Sequence, residues 1–329
     1  MVKKITIIGG SGFVGTNFCR YLDSINKDFE IIDLKLSNQF SEKCKIGDVR
    51  DLQSLRNTIT GDVVVNLAAI HRDDVRDKSE YYNTNVVGME NICSVCSEKK
   101  ITKLIYTSSV AVYGFVTSCT DENGKIEPFN EYGKTKFLAE EKLRSWQAKG
   151  NNSLIIVRPT VIFGEGNRGN VFNLFNQIST GKFLMIGSGK NKKSLAYIEN
   201  VVAFLDACVV SNQKYGLYNY VDTPNMTMND FVSLVRLKLK GKKGVGLRMP
   251  YFFGVFIGFV ADITAFLSGR NLSISSIRIK KFTASTEFSS SKHELDGFVP
   301  PYKLNLGITK TLESEFSSRN LDKEIFFTE

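Results

Sequence analysis

Short runs of β-branched and other apolar residues at 4–8, 30–32, 63–67, 104–107 and 154–157 alternate with longer stretches whose apolar positions recur at helical spacing, at 12–22, 51–58, 81–99 and 132–148. Such alternation predicts a parallel sheet covered by helices on both faces. The fold class is therefore α/β, a Rossmann-type doubly wound parallel sheet with a smaller, mixed C-terminal domain. After about residue 158 the pattern loosens, with Gly164-Glu-Gly-Asn-Arg-Gly169 and Gly187-Ser-Gly-Lys190 marking loops, and no repeat or low-complexity linker divides the chain. We expect a dinucleotide-binding domain over residues 1–165, to which 195–222 return, and a substrate-binding domain made of 166–194 and 223–329.

Composition narrows this picture. A chain of 329 residues with 42% hydrophobic content can bury a large core. Two lysines precede the first apolar run, but that run ends at once in glycines with no cleavage-like site, so it reads as a strand and points to the cytoplasm. The cysteines (Cys19, Cys44, Cys93, Cys96, Cys119, Cys208) follow no disulfide spacing, and Cys93-Ser-Val-Cys96 stands alone beside only two histidines, so no metal site is expected. The net charge of +9 raises nucleic acid as a partner, yet no helix-turn-helix, finger or aromatic RNA-binding signature accompanies it.

Much of that charge is local. No acidic residue lies between Asp230 and Asp262, while Arg236, Lys238, Lys240, Lys242, Lys243 and Arg248 crowd the first half of the interval. There follows Met249-Pro-Tyr-Phe-Phe-Gly-Val-Phe-Ile-Gly-Phe-Val-Ala261, an aromatic-rich run broken by Asp262 and resumed as Ile263-Thr-Ala-Phe-Leu267. Thirteen uncharged residues are too few to cross a bilayer, which takes about twenty. Residues 236–270 thus read either as a contact with an anionic membrane surface, peripheral on its inner face, or as a core helix of the smaller domain. Both readings stay open at this point.

The chemistry begins at Gly9-Gly-Ser-Gly12-Phe-Val-Gly15, which follows a strand and opens a helix, with Asp33 closing the next strand. In that context the glycines let a backbone approach a pyrophosphate, and the helix N-terminus supplies free N–H groups. Asp33 would accept hydrogen bonds from the adenosine ribose and repel a 2′-phosphate, favouring NAD over NADP, although Lys35 nearby keeps NADP open. Downstream, Tyr132-Gly-Lys-Thr-Lys136 follows Thr107-Ser-Ser109 by a strand and a loop. A tyrosine and a lysine four apart share a helix face, so the ammonium and the positive nicotinamide of an oxidised cofactor would both favour the phenolate. Proton removal from a carbinol coupled to hydride transfer is the chemistry suggested.

Gly9-x-x-Gly12-x-x-Gly15, Asp33, Gly47-Asp48-Val-Arg-Asp51, Asn66-Leu-Ala-Ala69, Asn85, Ser109-Val-Ala-Val-Tyr-Gly114, Tyr132-x-x-x-Lys136 and Arg158-Pro159 occur in an order that resembles the extended short-chain dehydrogenase/reductases acting on nucleotide sugars. The resemblance implies a cofactor site of Gly9, Gly12, Phe13, Val14, Gly15 and Asp33, with Asp48 and Val49 by the adenine and Ala68 and Ala69 by the pyrophosphate. Leu67, Asn85 and Pro159 complete it, and Ser109, Tyr132 and Lys136 form the catalytic group, the last two also touching NAD. It implies too a homodimer formed through helices 81–99 and 132–148.

Rarer strings, among them His71-Arg-Asp-Asp-Val75, Asn167-Arg-Gly-Asn170 and Ser276-Ile-Arg-Ile-Lys-Lys-Phe282, are similar to those of bacterial 4-epimerases acting on N-acetylglucosamine carried by undecaprenyl diphosphate. That likeness implies interconversion of GlcNAc and GalNAc on the lipid that starts an O-antigen or similar surface polysaccharide, with NAD recycled. A UDP-GlcNAc 4-epimerase, a 4-keto-sugar nucleotide reductase and a non-catalytic NAD-binding subunit remain alternatives. Dehydration would require an acid and base where Val110 and Ala111 stand. Where relatives carry an Arg-Asp pair and an Arg-x-Gly-Asp pattern around the nucleotide, this chain has Lys193-Ser194 and Arg278-Ile-Lys-Lys281, which suits a diphosphate without a base. His71, Arg72, Arg168, Asn170, Lys193, Arg278 and Lys281 are the candidate substrate contacts.

Overall fold

The computed structural model describes residues 4–72, 75–268, 275–317 and 324–328. In chain order the strands are β1 (Ile5–Ile8), β2 (Phe29–Asp33), β3 (Cys44–Ile46), β4 (Val63–Asn66), β5 (Lys103–Thr107), β6 (Ser153–Pro159), β7 (Val161–Phe163), β8 (Met185–Ile186), β9 (Lys192–Tyr197), β10 (Tyr215–Tyr220), β11 (Asp222–Thr227) and β12 (Arg248–Met249). The α-helices are α1 (Phe13–Ser24), α2 (Leu52–Thr58), α3 (Ser79–Tyr82), α4 (Gly88–Glu98), α5 (Glu131–Gln147), α6 (Asn170–Thr180), α7 (Ile198–Val210), α8 (Met228–Lys240), α9 (Tyr251–Ser268), α10 (Ser276–Thr283) and α11 (Leu304–Leu312).

Seven parallel strands make one sheet in the order β10-β6-β5-β4-β1-β2-β3. The expected doubly wound sheet is present, and its order reverses between β1 and β4, where Ile8 stands opposite Asn66. A crevice must open above that point because the connections leave in opposite directions. One face carries a core of Phe18, Leu22, Ile31, Val65, Phe204 and Leu205, continuous with Phe175 and Phe231 beyond the sheet; the other packs Leu55, Ile92, Leu143 and Trp146. Beyond the large sheet lie a three-stranded sheet, β11-β9-β7, and the pair β12-β8.

Helix α5 is fixed from beneath by a buried ion pair. Glu140 and Arg158 are both almost wholly inaccessible, and Arg158 Nε donates to Glu140 Oε1 at 2.8 Å. The same carboxylate accepts from Ser108 Oγ (2.6 Å) and Arg144 Nη2 (2.8 Å), while Arg158 Nη1 donates to Tyr113 Oη (2.7 Å), which donates to Asn219 Oδ1 (2.8 Å). The end of β5, α5, β6 and β10 thus share one network.

Helix α9 runs through Asp262, whose carboxylate accepts the Ser276 N–H at 3.1 Å and so leaves the apolar surface for α10. Of the two readings left open for this segment, the core helix is not what forms: among its residues only Gly254 and Gly258 are buried. A Cβ at Gly254 would lie 2.6 Å from Ile186 and one at Gly258 2.8 Å from Ile279 and Ser276, so small residues face the protein and large ones face outward.

Replacing Glu140 by Ala would strand a buried guanidinium, and urea denaturation should show a loss of about 3–5 kcal/mol. Lys142→Ala, at an exposed pair with Glu90, should leave the urea midpoint where it is in wild type.

Candidate active site

The glycine turn forms where β1 must bend sharply into α1. Gly9 takes a φ of +83°, and a Cβ there would lie 2.6 Å from Ala68 N; one at Gly15 would lie 2.3 Å from Gly9 O. Side chains are excluded at both, so the turn closes against the Leu67-Ala68-Ala69 loop while Phe13 packs inward and Val14 stands half-buried. At Gly12, the N-cap of α1, no side chain caps the helix, and a Cβ would meet only Gly9 O, in ordinary contact at 3.6 Å. That cradle fits a pyrophosphate. Asp33 ends β2 beside it, and its Oδ2 accepts the Ser11 N–H at 2.9 Å, which sets the carboxylate at the rim of the turn.

Asp48 is held by a bidentate contact with Arg50, which lowers its pKa below the usual carboxylate range. Val49 is buried against Gly88. Asn85 occupies a π-helical turn, Asn83–Val87, between α3 and α4. Its amide brackets Ile70, accepting N–H at 3.0 Å and donating to O at 3.1 Å, and also donates to Thr135 Oγ1 (3.0 Å). One side chain therefore joins the loop after β4 to the catalytic helix. Pro159 closes β6.

Asn130 caps α5 through Gly133 N–H (2.9 Å), which starts the helix so that Tyr132 and Lys136 share the face toward β5. Ser109 hydrogen-bonds Tyr132 and accepts the Ala111 N–H at 3.1 Å. The Lys136 ammonium is buried, donating to Thr107 O at 2.8 Å, 4.7 Å from the Tyr106 ring and 5.9 Å from the Tyr132 ring. The three candidate catalytic residues are thus brought together. Tyr106 Oη and Thr107 Oγ1, buried beside them, have no hydrogen-bond partner among the described residues. Sequence reasoning passed over Glu140, although its position four residues after Lys136 puts it on the same helical face.

The electrostatics differ from the expectation of a ready phenolate. Burial pushes Tyr132 up to about 12 against the hydrogen bond from Ser109, and burial pushes Lys136 down to about 7 against the charge of Glu140. In the protein by itself desolvation outweighs the hydrogen bond from Ser109, so the phenol is held neutral; the positive nicotinamide would favour its anion.

The candidate substrate residues separate into groups. His71 and Arg72 lie on the loop after β4, and Asn170 is the first residue of α6. Arg168 pairs with Glu315 (2.7 Å) and lies over the Phe172 ring. Lys193 donates to the carbonyls of Lys281 (3.0 Å) and Ala284 (2.6 Å), so it ties down the end of α10. Arg278 and Lys281 are on α10 itself, and Lys281 Nζ sits 5.1 Å from the ring of Phe129, one residue before the Asn130 cap.

The profile of the NAD dependent epimerase/dehydratase family matches residues 5–219. The chain belongs to that family. It is 44% identical over the full length of both chains to the N-acetyl-alpha-D-glucosaminyl-diphospho-ditrans,octacis-undecaprenol 4-epimerase of Escherichia coli O157:H7. It is 27% identical to the UDP-glucose 4-epimerase of Vibrio cholerae, over 97% of this chain and 98% of that one. Among solved structures, the UDP-N-acetylglucosamine 4-epimerase of Bacillus cereus superposes with a TM-score of 0.75 at 18% identity, covering 95% of this chain and 99% of that one. The family's cofactor is NAD, in keeping with the glycine cradle and Asp33.

Between pH 7 and 10 the unfolded chain, with Lys136 at its ordinary 10.5, binds more protons than the folded one, so this group makes stability rise with pH. Lys193, lowered by burial to about 8, acts in the same direction. Thermal melts of the cofactor-free protein from pH 7 to 8.5 should therefore show a shallower rise for Lys136→Met than for wild type.

Proposed function

We propose that this chain is an NAD-dependent sugar 4-epimerase that interconverts GlcNAc and GalNAc on undecaprenyl diphosphate, in the assembly of O-antigen or a similar surface polysaccharide. The observation that carries this reading is the 44% identity, end to end, with the E. coli lipid-linked 4-epimerase. NAD supplies a reversible acceptor for the C4 hydride. Tyr132 removes the proton of the 4-hydroxyl, and Ser109 holds the same oxygen through its hydroxyl. The buried Lys136 favours the tyrosine's anion while the cofactor is oxidised. Once the 4-keto sugar has turned its other face to the cofactor, Tyr132 returns the proton and the configuration at C4 is inverted. Val110 and Ala111 offer no acid or base for eliminating water.

Arg278 and Lys281 are the substrate residues this reading favours for the diphosphate, because α10 meets Phe129 just ahead of the catalytic helix. His71 and Arg72, on the loop after β4, and Asn170, at the start of α6, come next. The protein is a homodimer in this reading, joined through the adjacent α4 and α5, which already exchange a Lys142–Glu90 ion pair on their outer side.

The membrane contact is the outer face of α9. Phe252, Phe256, Phe259, Phe266 and Leu267 are each more than half exposed there, a surface that water penalises. Residues 231–286 hold ten Lys or Arg and one acidic residue, Asp262, so this segment carries the chain's entire excess of +9. Such a cationic, aromatic surface suits the anionic cytoplasmic leaflet. Its 18-residue length admits a spanning helix. Against spanning, its middle residues Gly258 and Asp262 touch α10, which carries Arg278, Lys280 and Lys281, and each cation at a bilayer centre would cost about 2.5–3.5 kcal/mol or more. The helix therefore lies in the interface.

Incubation of the protein and NAD with GlcNAc-diphosphoundecaprenol should yield GalNAc on the lipid, and incubation with UDP-GlcNAc should yield little; the reverse outcome establishes a nucleotide-sugar epimerase. Tyr132→Phe should lower the rate about 10²–10⁴-fold. In flotation with phosphatidylserine vesicles, wild type should rise with the lipid and the Phe252→Ser, Phe256→Ser, Phe259→Ser variant should stay below, while neutral vesicles bind both weakly.

A further inference from the structure

Residues 324–328 are tied on one side to α1 and the loop after β2 and on the other to the loop around Gly166. On the adenosine side Glu324 accepts from Arg20 Nη2 (3.2 Å) and from Asn38 Nδ2 (2.9 Å), and Arg20 also donates from Nε to Gln39 (2.6 Å). Arg20 belongs to α1, while Asn38 and Gln39 lie on the loop that leaves β2 after Asp33. On the opposite side Phe326 N donates to Gly166 O (2.9 Å), Arg168 N donates to Phe326 O (2.8 Å), and Thr328 Oγ1 donates to Asn167 Oδ1 (2.7 Å). His71, on the loop after β4, hydrogen-bonds the main chain at Thr328 as well as at Ala69.

Between these anchors the Phe326 ring meets Phe13, centroids 5.7 Å apart, and Phe13 directly follows Gly12 at the start of α1. A Cβ at Gly12 would still meet only Gly9 O, at 3.6 Å, so no atom of the segment lies against that position. The segment thus passes beside the start of α1 without covering Gly12. The approach depends on Gly166, whose φ is +84° and where a Cβ would lie 2.6 Å from Glu324 O. A glycine is therefore positioned where the segment passes closest, which is hard to account for if the tail were only lying on the surface.

We propose that residues 324–328 are a strap that closes the cofactor site, so that bound NAD leaves only when the strap lifts from Arg20, Asn38, Phe13 and the Gly166 loop. The strap adds contacts that the glycine turn cannot make, because the turn faces the pyrophosphate from below. It also links the cofactor to the 164–170 loop, whose Arg168 amide it binds. Release of NAD and movement of that loop are therefore one event. This role is independent of which sugar carrier the enzyme uses.

The test is the rate at which NAD leaves the full-length protein, followed by trapping released NAD with an excess of an independent NAD-consuming enzyme. Deleting residues 324–329, or replacing Phe326 by Ala, should speed release about tenfold to a hundredfold, the equivalent of losing one buried aromatic contact. Protein desalted after purification should then carry correspondingly less NAD. Release at the wild-type rate from both variants would overturn the proposal, as would loss of NAD accompanied by loss of the cooperative thermal transition. A second readout uses the unmodified chain: carboxypeptidase should trim its C-terminus more slowly with NAD than without, and equal trimming rates would also overturn it.

Discussion

The arrangement of the site depends on a buried charge being held in place beneath it. Lys136 puts its ammonium into a region that burial makes hostile to charge, and Glu140, one turn further along α5, is the group that opposes this. Arg158, Arg144 and Ser108 surround the Glu140 carboxylate and donate to it. A buried pair of this kind gains little net stability, since desolvation offsets attraction, but it penalises every arrangement that separates the partners. Its effect is to register α5 against β5 and β6, and with them Tyr132 against Ser109.

The opposite tendency governs α9. A helix at the surface of a protein in water normally turns its large apolar residues inward and its small or polar ones outward. Here Gly254 and Gly258 face inward and the phenylalanines outward, so the close approach of backbone to Ile186 and α10 takes the place of side-chain packing. The resulting exposed surface is coherent with its flanks, where the chain's surplus of lysine and arginine is gathered. Helix α10 packs on α9 and also reaches Phe129, one residue before the Asn130 cap of α5.

Much of the fold could be read in the residues because it is written at short range. The five apolar runs lie within β1, β2, β4, β5 and β6 or within a residue of their ends, and the four helical stretches correspond to α1, α2, the continuous 79–98 segment and α5. β3 and α7 escaped for opposite reasons: β3 is three residues long, and α7 is apolar almost all round, so it shows no face. The glycine turn, Asp33 and the Tyr132–Lys136 pair were legible because their spacings reflect local geometry, a tight turn and a helical period.

Tertiary structure alone decided what required partners distant in the chain. Lys193 looks like a free cation in sequence, yet its place in β9 brings it under the carbonyls that end α10. Arg168 likewise meets Glu315, and Asp262, the one charge within the apolar run, finds an N–H fourteen residues on and anchors the start of α10. The pKa of Tyr132 depends on how deeply it is buried, which no spacing encodes. Periodicity records which face of an element is apolar; it carries no information about what that face will meet. For that reason the sequence by itself determined the elements, the glycine turn and the Tyr132–Lys136 pair, whereas folding determined the outward face of α9, the network around Glu140 and the contacts that residues 324–328 make with α1 and the Gly166 loop.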